Sequence, residues 1–134
     1  MGDYLIKFSA PGDNATPVAS SGEVSRDDWI KWAEAAWYGI RETETLNTKQ
    51  AKCPEDVKHI CPLQLGVIRR LVRLYTNPGE IVFSPFAGIG SEGYEAVKAG
   101  RRFYGCEIKD EYYHEACRNL AIAEAASSPE RMLF

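Results

Sequence analysis

Residues 84–93 constrain this chain more tightly than any other stretch. They read Ser84-Pro85-Phe86-Ala87-Gly88-Ile89-Gly90-Ser91-Glu92-Gly93, after the apolar run Ile81-Val82-Phe83 and before a helical pattern. Glycines in a strand-to-helix turn let backbone pass close to a ligand and adopt conformations that a side chain forbids. The pattern predicts a strand over 80–83, a helix over 91–99 closed by Gly100, a second strand over 102–107 and a closing helix over 110–126. The buried side of the closing helix is expected to carry Tyr113, Ala116, Cys117, Leu120 and Ala123. Strand, helix, strand, helix in that order implies an α/β fold with parallel strands, flanking helices and a right-handed crossover.

Glu107 ends the second strand, about twenty residues beyond the turn, where an acidic side chain can accept hydrogen bonds from ribose hydroxyls. The pair of features points to an adenosine-type ligand without saying which. Gly88, Gly90 and Gly93 match the GxGxxG spacing of dinucleotide sites. In those sites, however, the apolar strand runs almost directly into the first glycine. Here Ser84 to Ala87 intervene, and Pro85 removes a backbone donor and ends the strand early. The chain also lacks the further strands of a dinucleotide domain.

Upstream, residues 4–8 read as a short strand and residues 9–24 as a loop rich in Pro, Gly, Ser, Asn and Ala. Ser25-Arg26-Asp27-Asp28 fits a capping box that opens a helix. Trp29, Trp32, Ala33, Ala36 and Trp37 follow at helical spacing, either as a core-facing stripe or as an aromatic surface that touches DNA. Residues 39–50 show no periodicity, and 53–62 read as a loop. A strong helix is predicted over 63–75, with Leu65, Ile68, Leu71, Val72 and Tyr75 on one face and Arg69, Arg70 and Arg73 on a solvated one. Asn77-Pro78-Gly79 stops it. Residues 127–134 are expected to fray.

Length and composition bound the function. A chain of 134 residues, 45% hydrophobic and 26% charged, suits one globular domain. A net charge of -3 argues against a free-standing nucleic-acid binder but not against one face of a larger DNA enzyme. Cys53, Cys61, Cys106 and Cys117 form no CxxC pair, so reduced thiols, no metal site and a cytoplasmic setting are expected. No apolar run is long enough to span a membrane, and no membrane partner is expected.

The turn becomes specific when its whole sequence is taken together. Residues 84–91 resemble the [Asp/Asn/Ser]-Pro-Phe-x-Gly-x-Gly-[Ser/Thr] motif of the DNA methyltransferases that modify exocyclic amino groups. Residues 58–65, Lys-His-Ile-Cys-Pro-Leu-Gln-Leu, resemble the loop and helix start that precede that motif in the same family, and Gly105-Cys106-Glu107-Ile108 resembles its ribose-binding strand end. The resemblance covers roughly 57–125 well. It implies a partial Rossmann-like methyltransferase fold that binds S-adenosylmethionine. Phe86, Gly88 and Gly90 would shape the pocket, Glu107 would hold the ribose and Ile108 would pack on the adenine. His59, Ile60, Cys61 and Ser91 would lie near the methionine end. Two residues depart from the pattern: Ser84 stands where the family more often has Asp, and Cys61 stands where a basic residue commonly precedes the proline.

The same resemblance implies a catalytic [Asp/Asn/Ser]-Pro-Pro-aromatic motif, whose polar group would accept hydrogen bonds from the target amino group and whose ring would stack on the flipped base. No Pro-Pro pair occurs in the chain, so no catalytic residue is assigned. A loop-helix segment ahead of the cofactor turn corresponds to the permuted order, in which the catalytic block comes first. The expected division is therefore 1–8 as the last strand of that block, 9–56 as a target-recognition segment, 57–126 as the cofactor subdomain and 127–134 as a tail. The leading expectation is the S-adenosylmethionine-binding portion of a bacterial or phage DNA adenine or cytosine amino-methyltransferase. It would meet DNA through the complete enzyme, with an N-terminal catalytic half or a second copy as partner. The rivals are a non-catalytic DNA-binding or assembly module, since a short sheet exposes its edges, and a dinucleotide-binding domain.

Overall fold

The computed structural model describes residues 4–18, 22–46 and 63–127. Its elements are α1 (Arg26–Trp32), α2 (Leu65–Tyr75), β1 (Ile81–Ser84), α3 (Ser91–Lys98), β2 (Arg102–Gly105) and α4 (Asp110–Ser127). β1 and β2 pair in parallel, from Ile81 opposite Arg102 to Ser84 opposite Gly105. α3 crosses between them, packing on both strands, on α2 and on α4. The expected α/β arrangement of parallel strands with flanking helices is therefore present.

The core follows from helical spacing. Leu65, Ile68 and Val72 sit on one face of α2 and are buried with Ala96 of α3. Val82 and Phe103, paired across the sheet, pack against them from one side. Burying each large aliphatic side chain contributes about 1.5–3 kcal/mol. α2 ends at Thr76, whose extended backbone suits a chain approaching Pro78, and Gly79 takes the turn at φ 81°. On the opposite sheet face Ile81, Phe83 and Tyr104 stay about half exposed or more.

Four expectations are corrected. Residues 4–8 form no strand: Tyr4 and Phe8 are 91% and 90% exposed, and the sheet of the described residues contains only β1 and β2. A strand is held by a ladder to a neighbour, and this segment has none there. The tryptophan stripe does not enter the core. α1 buries no residue and ends at Ala33, so Ala36 and Trp37 leave the helical period. Trp37 instead turns back to donate its indole N–H to the Trp32 carbonyl at 2.8 Å. Both rings lie against the Arg70 guanidinium, 5.9 and 5.4 Å from their centroids. The Ser25 cap itself forms, with the Asp28 amide donating to the Ser25 hydroxyl at 3.1 Å, and that hydroxyl, rather than the Ser25 amide, donates to the Asp28 carboxylate at 2.8 Å.

The arginine face of α2 is not simply solvated. Arg69 grips the buried Glu95 carboxylate with two nitrogens, at 3.0 and 3.1 Å, and reaches Glu44 at 2.7 Å. This arrangement fastens the segment around Glu44 to α2 and α3 and holds the Glu44 carboxyl below its ordinary range. Finally, α4 keeps its helical period and buries Ala116 and Ala123 as expected, but its face is shifted to one side: Glu115 and Asn119 are also buried, whereas Tyr113 and Cys117 are exposed. The phase is set by the turn that α4 meets, since Asn119 and Ala116 are the residues that touch it.

One clamp had no signature in the sequence. The Arg101 side chain is fully buried, donates to both Glu23 oxygens at 2.7 and 2.6 Å, and also donates to the Thr76 hydroxyl and carbonyl at 3.0 and 2.6 Å. It ties the N-terminal stretch to the end of α2 and the start of β2.

Candidate functional site

The glycine-rich turn leaves the carboxyl end of β1, where ligands of open α/β sheets collect. Two hydrogen bonds extend the strand pairing into it. The Cys106 amide donates to the Ser84 carbonyl at 2.9 Å, and the Ala87 amide donates to the Cys106 carbonyl at 2.8 Å. The chain then folds back through Gly88 at φ 54° and Gly90 at φ 84°, a region that side-chain-bearing residues avoid. A Cβ on Gly90 would also lie 3.1 Å from the Ala116 Cβ and 3.2 Å from its Cα, so the glycine lets the turn seat against α4. Gly88 differs, for nothing lies within 4 Å of the place its Cβ would occupy. Asn119, buried on α4, donates to the Ile89 carbonyl at 2.8 Å and fixes the turn from behind.

Glu107 closes the site. β2 ends at Gly105, two residues earlier than the sequence predicts, so Glu107 stands just beyond the strand, level with the turn. Its carboxylate accepts from the Gly88 amide at 2.8 Å through one oxygen and from the Ile108 and Lys109 amides at 3.0 Å through the other. A carboxylate offers roughly four acceptor positions, so one remains for a further donor. Phe86 and Ile108 follow the two strand ends at 85% and 94% exposure. Two bare apolar side chains beside an oriented carboxylate are what a nucleoside requires: apolar surface for the base and an acceptor for the sugar.

Of the predicted site residues, Phe86, Gly88, Gly90, Ser91, Glu107 and Ile108 are gathered at the carboxyl ends of the strands; Ser91 is buried at the first position of α3. His59, Ile60 and Cys61 lie outside the described residues. Gly93 faces away from the ligand side as a packing glycine, since a Cβ there would come within 2.6 Å of the Phe103 ring and 2.7 Å of Leu120. Sequence reading missed Asn119, whose signal was an amide on the inner face of an otherwise apolar helical pattern, and Glu92. Glu92 follows Ser91 and is half-buried, and burial raises its carboxyl above the ordinary range. Among the described residues no group of three or more His, Cys, Asp or Glu is arranged to hold a metal ion, and no helix is long and apolar enough to cross a membrane.

The sequence profile of the DNA methylases matches residues 1–118. The chain belongs to the DNA methylase family. A DNA adenine methyltransferase of Escherichia coli (strain K12), YhdJ, is 39% identical over 65 residues, 48% of this chain and 22% of that protein. A type II methyltransferase of Moraxella bovis is 36% identical over 76 residues, 57% of this chain and 28% of that protein. A DNA modification methylase of Thermus thermophilus, solved in complex with S-adenosyl-L-methionine, superposes with a TM-score of 0.63 at 25% identity, over 85% of this chain and 41% of that one. This methylase chain thus spans under a third of the two curated relatives and under half of the solved structure. Family membership also resolves the GxGxxG match at Gly88, Gly90 and Gly93: it is the turn of a DNA methylase, not of a dinucleotide domain.

Proposed function

We propose that this chain is the S-adenosylmethionine-binding portion of a site-specific DNA methyltransferase that acts on an exocyclic amino group of adenine or cytosine. The observation that carries the reading is the Glu107 carboxylate anchored to the Gly88 amide, with a spare acceptor position, between the exposed Phe86 and Ile108. The residues fit the cofactor. Glu107 would hold the ribose, Phe86 and Ile108 would cover the adenine, and the open space over Gly88 admits the ligand against bare backbone. His59, Ile60, Cys61 and Ser91 would line the methionine end. When bound, S-adenosylmethionine supplies a sulfonium-activated methyl group. This chain's own residues bind and orient it, and such positioning is a large part of any direct displacement.

No Pro-Pro motif occurs in the 134 residues, so the group that receives the target amino group belongs to a further segment. In this reading 57–126 form the cofactor subdomain and 9–56 the target-recognition segment, and transfer requires a catalytic block joined to the chain or supplied in trans. Calorimetric titration with S-adenosylmethionine and with its demethylated product tests the cofactor assignment. Saturable binding is expected, weakened about tenfold or more by Glu107→Gln, since the ligand's hydrogen bond to a charged acceptor is lost. Absence of binding in a folded sample would remove the reading.

One observation favours the non-catalytic alternative, an assembly module. Ile81, Phe83 and Tyr104 leave one sheet face open. Sedimentation across a concentration series decides it, and a strict monomer at every concentration rejects it.

A further inference from the structure

A cleft of about 370 Å³ lies between the N-terminal stretch and the end of α2, and the cofactor site makes no use of it. α2 leads into the amino end of β1, and Arg101 of the adjoining clamp precedes β2. The cleft therefore sits at the amino ends of the strands, whereas the glycine-rich turn sits at their carboxyl ends. Its size falls in the range of small-molecule sites, about 300–1,000 Å³. Val18, Val24 and Leu74 supply apolar wall, Trp29 supplies an indole, and among the described residues the charged lining side chains are Arg26 and Arg73, with no carboxylate.

Arg73 is the informative member. Its Nε is shielded from solvent and has no hydrogen-bond partner, a condition that native interiors avoid. The carboxylate nearest to it, Glu23, stands 4.0 Å away and is gripped at both oxygens by Arg101. Three guanidiniums, those of Arg26, Arg73 and Arg101, thus share this corner with a carboxylate already committed to Arg101. Trp29 stays 55% exposed beside them. A guanidinium pair recognises a phosphate, and an indole over apolar wall recognises a flat ring.

We propose that this cleft is a nucleotide site, separate from the cofactor turn, in which the phosphate is held by Arg26 and Arg73 and the base lies against Trp29. A base can reach the indole only when unpaired, so the ligand is a free mononucleotide or an unpaired nucleotide of a strand, not a nucleotide within a duplex.

The test uses the whole chain with three probes: deoxyadenosine monophosphate, a fluorescein-labelled ten-nucleotide single strand, and inorganic phosphate. Saturable binding of the mononucleotide or of the strand is expected. Arg73→Gln and Arg26→Gln should each weaken it about tenfold. Trp29→Ala should weaken it further than Trp29→Phe, which keeps a ring. Displacement of the strand by the mononucleotide identifies a free nucleotide as sufficient, and binding of the strand alone identifies a chain segment; either supports the site. S-adenosylmethionine titration of the same variants should be unchanged; loss of cofactor binding in a folded variant would overturn the separateness of the two sites, whereas absence of cofactor binding in the unsubstituted chain would count against the cofactor reading and not against this one. Arg26 is exposed, and its variant keeps the test valid if Arg73→Gln disturbs folding. Binding that the arginine variants leave intact, equal affinity for inorganic phosphate, or no saturation with either nucleotide probe would overturn the proposal.

Discussion

The turn between β1 and α3 and the stretch from residue 4 to residue 46 are both glycine-bearing and largely without regular structure, yet they are held in opposite ways. In the turn, each glycine answers a backbone requirement, and apart from the Asn119 bond to the Ile89 carbonyl the hydrogen bonds run within the β-α-β unit and the Glu107 loop that follows it. In the N-terminal stretch, Gly12 and Gly39 also take positive φ, but, like Gly88 and unlike Gly90, they have no atom within 4 Å of where their Cβ would be. That stretch is fastened from outside, by Arg101 through Glu23 and by Arg69 through Glu44. A local requirement can be read from sequence; a distant arginine cannot.

The largest expected effect comes from forcing a side chain into the turn. Gly90→Val combines a left-handed backbone, which costs about 1–3 kcal/mol for a residue with a side chain, with crowding of Ala116, which adds about 1–3 kcal/mol. A loss of about 2–6 kcal/mol in urea unfolding is expected from the two together. Gly12→Val meets open space and should cost no more than the backbone part, about 1–3 kcal/mol. Equal losses at the two positions would show that the turn is no more tightly constrained than the N-terminal stretch.

The next effect sharpens the other side of the comparison. Arg101→Met removes a buried guanidinium and leaves Glu23 and the Thr76 carbonyl without it. Because Glu23 retains some contact with water, about 2–3 kcal/mol is expected, below the cost of a wholly buried pair. Ser25→Ala, which removes only the cap of α1, should cost about 1 kcal/mol. If Ser25→Ala proved the more damaging, α1 would owe its place to its own cap rather than to the clamp beneath it.

This contrast explains what was legible beforehand. The β-α-β order, the Ser25 cap of α1, the Leu65, Ile68 and Val72 face of α2 and the gathering of Phe86, Gly88, Gly90 and Glu107 all rest on local periodicity or on turn chemistry, and the structure shows each of them, although Tyr75, expected on the same face of α2, is 49% exposed. The missed features depend on contacts between segments far apart in the chain. Residues 4–8 read as a short, mostly apolar strand, but nothing among the described residues pairs with them. Trp29 to Trp37 repeat like a helix, but the helix ends at Ala33 before the second half can face the core. In α4 the period is right and Ala116 and Ala123 are buried as expected, but the turn draws Asn119 inward while Tyr113 and Cys117 stay exposed. Arg69 and Arg101 resemble any surface arginine until Glu95, Glu44 and Glu23 are placed beside them.

Acid should separate the two regions with the smallest perturbation. Glu23 and Glu44 titrate below their ordinary value because Arg101 and Arg69 donate to them. A carboxyl lowered in the folded state contributes stability above its unfolded value, near 4.5, and loses it as pH falls through the folded one. Glu92 has the opposite sign. Burial raises it, so the folded chain takes up a proton there more readily, and the strain of a half-buried charge is relieved as pH falls toward 4.5. Lowering the pH from about 7 to about 4 should therefore loosen the clamps of the N-terminal stretch while leaving the turn unharmed. Hydrogen-exchange protection factors report each region by one amide: Leu65, which donates to the Glu44 carbonyl, and Tyr94, which donates to the Gly90 carbonyl. The Leu65 factor should fall more than the Tyr94 factor, and Glu92→Gln should raise Tyr94 protection near pH 7 while leaving it unchanged near pH 4. Parallel decline of both amides would mean that the clamps and the turn open as one cooperative unit, and that the N-terminal stretch is integral to the methylase fold rather than fastened to it.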